Sequence, residues 1–72
     1  MLIRAEKPIT KEQFMRAQMH GGTVDPVDMD AIFSNAEQYN YGVFSPIACA
    51  RYSEETHETT YIVTYSTSDT CD

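Results

Sequence analysis

Apolar positions in this chain follow two periods. From Thr59 to Thr67, Tyr61, Val63 and Tyr65 alternate with Thr60, Ile62, Thr64 and Ser66. A period of two, rich in β-branched and aromatic residues, predicts a strand over residues 59–67. A second strand is expected over residues 43–52. Strict alternation there puts Val43, Ser45, Ile47, Cys49 and Arg51 on one face and Phe44, Ala48, Ala50 and Tyr52 on the other. Pro46 cannot donate to a ladder, so this strand belongs at an edge or carries a bulge. The polar run Ser53–Glu58 joins the two as a hairpin. Residues 2–7 fit a third, short strand, with Leu2, Arg4 and Glu6 on one face, and Pro8 ends it.

Between these strands the period changes to that of a helix. Thr10 and Gln13 form the T-x-x-Q capping box, with Ile9 and Phe14 as its hydrophobic staple, so a helix is expected over 11–20. Gly21-Gly22 stops it, one glycine taking the left-handed conformation. Asp25 then caps a second helix, with Pro26 at the first helical position and Asp28 in the electropositive first turn. Met29, Ile32, Phe33 and Ala36 recur at i, i+3, i+4 and i+7, and this helix is expected over 26–39, ended by Asn40 or Gly42.

The order β-α-α-β-β makes an α+β domain of a three-stranded, mostly antiparallel sheet (2–7, 43–52, 59–67) with two helices (11–20, 26–39) on one face. Residues 1–72 are read as one domain, and residues 68–72 as a flexible C-terminal tail. The 59–67 strand is expected at the centre, with Tyr61, Val63 and Tyr65 facing Phe14, Met29, Ile32 and Phe33. The opposite face is then Thr-rich and uncovered. In the alternative, Thr60 and Ile62 face the helices, and Tyr61, Val63 and Tyr65 form an exposed stripe for a partner or a second copy.

Charge sharpens this picture. Net charge is −6 over 72 residues. Residues 1–16 hold four bases against two acids, whereas residues 17–72 hold only Arg51 against nine acids. Phosphate backbones repel such a surface, so direct nucleic-acid binding is not expected. No run approaches the roughly 20 apolar residues of a membrane span, and Met1-Leu2-Ile3-Arg4 leads into no apolar secretory core. A cytoplasmic location with Cys49 and Cys71 as reduced thiols is expected, a disulfide between them being the lesser alternative.

Candidate chemistry is sparse. Cys49, His57 and nearby acids are the raw material of a small enzyme or metal site, but no zinc-type spacing supports one. Asp25, Asp28 and Asp30 do not make a calcium loop, and Gly21-Gly22 is not a phosphate loop. No cofactor is expected. Five tyrosines and no tryptophan suit an interface, where an apolar ring and a polar tip both serve. Tyr39, Tyr41 and Tyr52, with the loop acids Glu54, Glu55 and Glu58, are the candidate partner-binding residues.

Asp30-Ala31-Ile32-Phe33, then Tyr41-Gly42-Val43-Phe44, then a hairpin and a Thr70-Cys71-Asp72 ending, resemble small uncharacterised proteins carried by conjugative elements of gut Firmicutes. The likeness covers about the last 45 residues. It implies an accessory protein of a mobile element and brings no catalytic residues. The expected function is therefore a small acidic, non-enzymatic protein-binding module that meets another protein or a second copy of itself. One alternative is an inhibitor that mimics nucleic acid toward a host DNA-binding protein. Another is a small enzyme or metal-binding protein using Cys49 and His57.

Overall fold

The computed structural model describes residues 1–69. The elements are β1 (Leu2–Pro8), α1 (Lys11–Gln18), α2 (Pro26–Ile32), a π-helical segment (Ala36–Tyr41), β2 (Phe44–Ser53) and β3 (Glu58–Ser68). The strands form one antiparallel sheet in the order β1-β3-β2, so the most β-prone segment lies at the centre. This is the expected α+β architecture. Ser68 is the last residue of β3, and the Asp69 N–H donates to the Met1 carbonyl at 3.2 Å. The rest of the expected tail, Cys71 included, lies outside the described residues.

The alternation in β3 decides which face is covered. Val63 and Tyr65 are buried and Tyr61 is half-buried on the helix side. The Phe14 ring lies 5.0 Å from that of Tyr61, and Phe33 meets Tyr65 edge-on at 4.8 Å. Val24, Phe33, Val63 and Tyr65 form the core, with Ala5, Ile9, Met29, Ile32 and Val43 packed around them. Each fully buried side chain of this size contributes about 1.5–3 kcal/mol. Ala17 of α1 and Ala48 of β2 are both buried as well.

α1 starts as its sequence dictates: Thr10 Oγ1 accepts from the Gln13 N–H, and the Gln13 side chain accepts from the Thr10 N–H. It ends at Gln18, two residues early, and the chain turns through Gly21 (φ +71) and Gly22 (φ +98). The next residues lie along β2: Ala48 N–H donates to the Gly22 carbonyl, and Val24 N–H to the Pro46 carbonyl.

The second helix departs from expectation. α2 stops at Ile32, because Phe33 turns extended (φ −117, ψ 136) and carries its ring into the core at 1% exposure. A helix continued to residue 39 would have held Phe33 on one face of a regular cylinder. The chain restarts at Ser34, whose Oγ accepts from the Glu37 N–H while the Glu37 carboxylate accepts from the Ser34 N–H. That reciprocal capping box leads into the π-helical segment, which Gly42 closes at φ +84.

Pro46 lies in a bulge, and the bulge corrects the face assignment. Phe44 pairs with Ser66 and Ile47 with Thr64, so three steps on β2 match two on β3. Ser45 takes the extra residue at φ +53. Phe44 therefore joins Ile47 and Cys49 on the uncovered face, and Val43 packs against the core instead.

Candidate interaction surfaces

The hairpin outruns its cover. β2 and β3 pair as far as Ser53 and Glu58, and the connection is only Glu54–His57. His57 closes it in the left-handed region at φ +57, which histidine tolerates better than most residues. Residues 50–52 and 54–60 are all exposed. The tip is thus a two-stranded arm open on both faces. Tyr52 presents its ring there, and its hydroxyl lies 3.1 Å from His57 Nδ1. Glu54, Glu55 and Glu58 make no side-chain hydrogen bond or ion pair among the described residues.

The six residues expected at an interface fall into two groups. Tyr52, Glu54, Glu55 and Glu58 share the arm. Tyr39 and Tyr41 lie on the π-helical segment, which is tied to the far end of β3 where Thr67 Oγ1 donates to the Gly42 carbonyl at 2.7 Å. Ten residue steps of β3 separate the two ends, about 30 Å at strand rise. The arm groups four of the six, and the two remaining tyrosines lie exposed at the other end of the sheet.

The uncovered face of the sheet is a second surface. Register places Leu2, Arg4 and Glu6 of β1, Thr60, Ile62, Thr64 and Ser66 of β3, and Phe44, Ile47, Cys49 and Arg51 of β2 on it. Arg51 donates to Glu6 Oε2 at 2.9 Å across the central strand, and Arg4 donates to Ser66 Oγ at 3.0 Å. Glu58 lies at the arm end of the same face, so two arginines there are matched by two glutamates, and the face is near neutral on an acidic protein.

Two further ion pairs tie elements together inside the fold. Arg16 grips Asp28 with two hydrogen bonds of 2.9 and 2.7 Å. The guanidinium holds the Asp28 carboxyl below its ordinary pKa against the opposing effect of burial, and the same bond raises Arg16. Lys7 Nζ donates to Glu37 Oε1 at 2.7 Å and to the Ile32 carbonyl at 3.2 Å, and sits 5.5 Å above the Phe33 ring. Lys7 holds Glu37 below its ordinary value, again against burial. Tyr65 is raised, first by burial and then by the Glu37 charge. Asp28 is thus more than an acid in a helix first turn: it is the buried tie between α1 and α2. Nothing local in the sequence pairs it with Arg16, twelve residues earlier.

Cys49 is a free, half-buried thiol on the uncovered face. His57 lies at the hairpin turn and contacts Tyr52, whose position in β2 points to the opposite face. The structure does not bring Cys49 and His57 together. Among the described residues no group of three or more His, Cys, Asp or Glu side chains is placed to hold a metal ion, and no described helix is long and apolar enough to cross a membrane.

Fold and surface together define a small two-layer α+β domain with one bare sheet face and one acidic hairpin arm. Compared with known proteins, the chain matches no family model, and neither a curated protein nor a solved structure matches it.

Proposed function

We propose that this chain is a small non-enzymatic protein-binding module that presents its hairpin arm to a basic protein partner. The observation that carries the reading is the arm itself. Tyr52 supplies an apolar ring with a polar tip, and the same arm carries Glu54, Glu55 and Glu58, which have no side-chain partner among the described residues. Acidic and aromatic groups on a projecting element favour fast, salt-sensitive association with a cationic surface. Three acids of the body, Glu6, Asp28 and Glu37, are by contrast each matched by an arginine or lysine. The resemblance to conjugative-element proteins supports an accessory role in a bacterial cytoplasm.

A nucleic-acid mimic is the narrower form of the same reading, favoured by the clustering of Glu54, Glu55 and Glu58 at one tip. Its partner would be a DNA-binding protein, and duplex DNA would compete for it.

The test is a pull-down over a salt gradient with the full chain beside a Glu54→Gln/Glu55→Gln/Glu58→Gln variant and a Tyr52→Ala variant. The expected result is a partner retained at low salt, released at moderate salt and lost by both variants. Capture that is equal with all three proteins removes the arm from the function.

A further inference from the structure

We propose that β1 is a self-pairing edge, and that a second copy of this chain adds to it antiparallel, joining two sheets into one of six strands. This goes beyond the arm reading and does not depend on it.

The first observation is the free ladder. Ile9 N–H donates to the Tyr61 carbonyl at one end of β1, and Asp69 N–H to the Met1 carbonyl at the other. The intervening register is unbroken, so Ile3, Ala5 and Lys7 also bond to β3. The N–H and C=O groups of Leu2, Arg4 and Glu6, and the C=O of Pro8, then point outward. The two edges of the sheet differ in this respect. Along β2 the bulge at Pro46 and the Gly22–Val24 segment blunt the edge. β1 has no bulge, and only its last residue is a proline. Leu2 and Ile3 are 58% and 44% exposed on it.

The second observation is that β1 is complementary to itself in one register. Centred on Ala5, an antiparallel pair sets Arg4 against Glu6 of the second copy and Glu6 against its Arg4. Both are positions where the outward ladder groups meet, so each ion pair sits on a hydrogen-bonded residue pair. Ala5 faces Ala5 at the close, non-hydrogen-bonded position, where a methyl group fits. Leu2 meets Pro8, where one of the two ladder bonds forms, from the Leu2 N–H to the Pro8 carbonyl. The other is lost with the proline N–H, leaving the Leu2 carbonyl to water. The neighbouring registers are excluded by charge: centring on Arg4 opposes two arginines, and centring on Glu6 opposes two glutamates. In the present structure Arg4 uses only one terminal nitrogen toward Ser66, and Glu6 only Oε2 toward Arg51, which leaves Arg4 Nε and Glu6 Oε1 for the second copy. Two molecules of charge −6 repel each other over most of their surfaces. Leu2–Pro8, with Arg4 and Lys7 against Glu6, is a place where they do not.

Sedimentation equilibrium of the full chain, over a wide concentration range at constant salt, tests this. The wild type is expected to pass from monomer to dimer. Arg4→Glu and Glu6→Arg should each weaken association by about tenfold, since each creates two like-charge oppositions per dimer. The Arg4→Glu/Glu6→Arg double variant should recover it, because the same register again pairs opposite charges. Arg4→Pro removes one outward N–H and leaves the backbone bonds to β3 untouched, losing only the exposed side-chain bond to Ser66. It should abolish the dimer while the circular dichroism of the monomer stays unchanged. A monomer at every concentration overturns the proposal. So does a dimer indifferent to both single swaps, or one lost on Ile62→Asp but kept in Arg4→Pro, which would place the contact on the sheet face. The Glu54, Glu55 and Glu58 variant should dimerise like the wild type, so failure here and failure of the arm reading are separable.

Discussion

Arg16 and Asp28 are joined by two parallel hydrogen bonds, Nε to Oδ2 at 2.9 Å and the terminal nitrogen to Oδ1 at 2.7 Å. Asp28 is 3% exposed, whereas the Arg16 side chain is 43% exposed. The two partners are therefore not equivalent. Arg16→Ala leaves a buried carboxylate without its donor, while Asp28→Ala leaves an arginine that water can solvate. Asp28→Ala is expected to cost about 1 kcal/mol, the exposed guanidinium limiting the loss. Arg16→Ala should cost more. Urea unfolding of the two single variants and the double variant gives the order and the coupling.

Acid should weaken the fold through the same pair and through Glu37. Both carboxyls have folded-state pKa values lowered by their cationic partners. The unfolded chain then binds more protons as pH falls, so the stability they contribute is complete above the ordinary carboxylate value of about 4 and is lost below it. The urea midpoint is expected to fall on acidification through that range. The drop should shrink in a Glu37→Gln/Asp28→Asn variant. An equal drop in that variant removes these two groups as the cause.

Gly42 is the least replaceable glycine. A Cβ there would stand 2.7 Å from Phe44 Cε2, and the residue sits at φ +84, ψ 146, a region essentially reserved for glycine. Gly42→Ala should cost about 1–3 kcal/mol from the backbone alone, with a displaced Phe44 ring in addition. Gly21→Asn is expected to be mild, because its φ of +71 suits asparagine and nothing lies within 4 Å. Thermal melts of the two variants should differ clearly.

Tyr65 and Phe33 separate ring packing from the hydroxyl. Tyr65→Phe keeps the edge-on contact and should change stability by less than about 0.5 kcal/mol at neutral pH. Phe33→Ala removes the ring that fills the core and should cost about 3–5 kcal/mol, enough to unfold a domain this small. Because the Tyr65 pKa is raised, its neutral form stabilises the fold below the ordinary tyrosine value, and that contribution is lost as pH rises through the folded value. Tyr65→Phe should therefore blunt alkaline destabilisation in a melt series.

The break after α2 rests on one short capping motif. Ser34→Ala removes the oxygen that accepts from Glu37 N–H and should cost about 1 kcal/mol. Amide exchange should quicken across Ala36–Tyr41 and stay unchanged in α1. Equal protection across the segment would show that the restart does not depend on Ser34.

Much of this fold was legible in local pattern. The Tyr61-Val63-Tyr65 alternation marks the central strand and its more apolar face, whereas the packing of Phe14 on Tyr61 and Phe33 on Tyr65 decides that this face is the covered one. Thr10 with Gln13, and Asp25 with Pro26, mark two helix starts, because capping is chemistry between near neighbours. Ser34-x-x-Glu37 carries the same signal for a third start, overlaid by the apolar stripe that runs from Met29 to Ala36. Pro46 announced a bulge, but not that Phe44 would move to the bare face and Val43 to the core.

What the sequence determined by itself was the three strands, the starts of α1 and α2 and their caps, since these depend on contacts a few residues apart. Tertiary structure decided the rest. It paired Arg16 with Asp28 and Lys7 with Glu37, pulled Phe33 out of its helix, and let the hairpin outrun its cover. It also left β1 as an open edge on which Arg4 and Glu6 stand two residues apart. Those outcomes depend on which segments meet across long stretches of chain, and no local period records that.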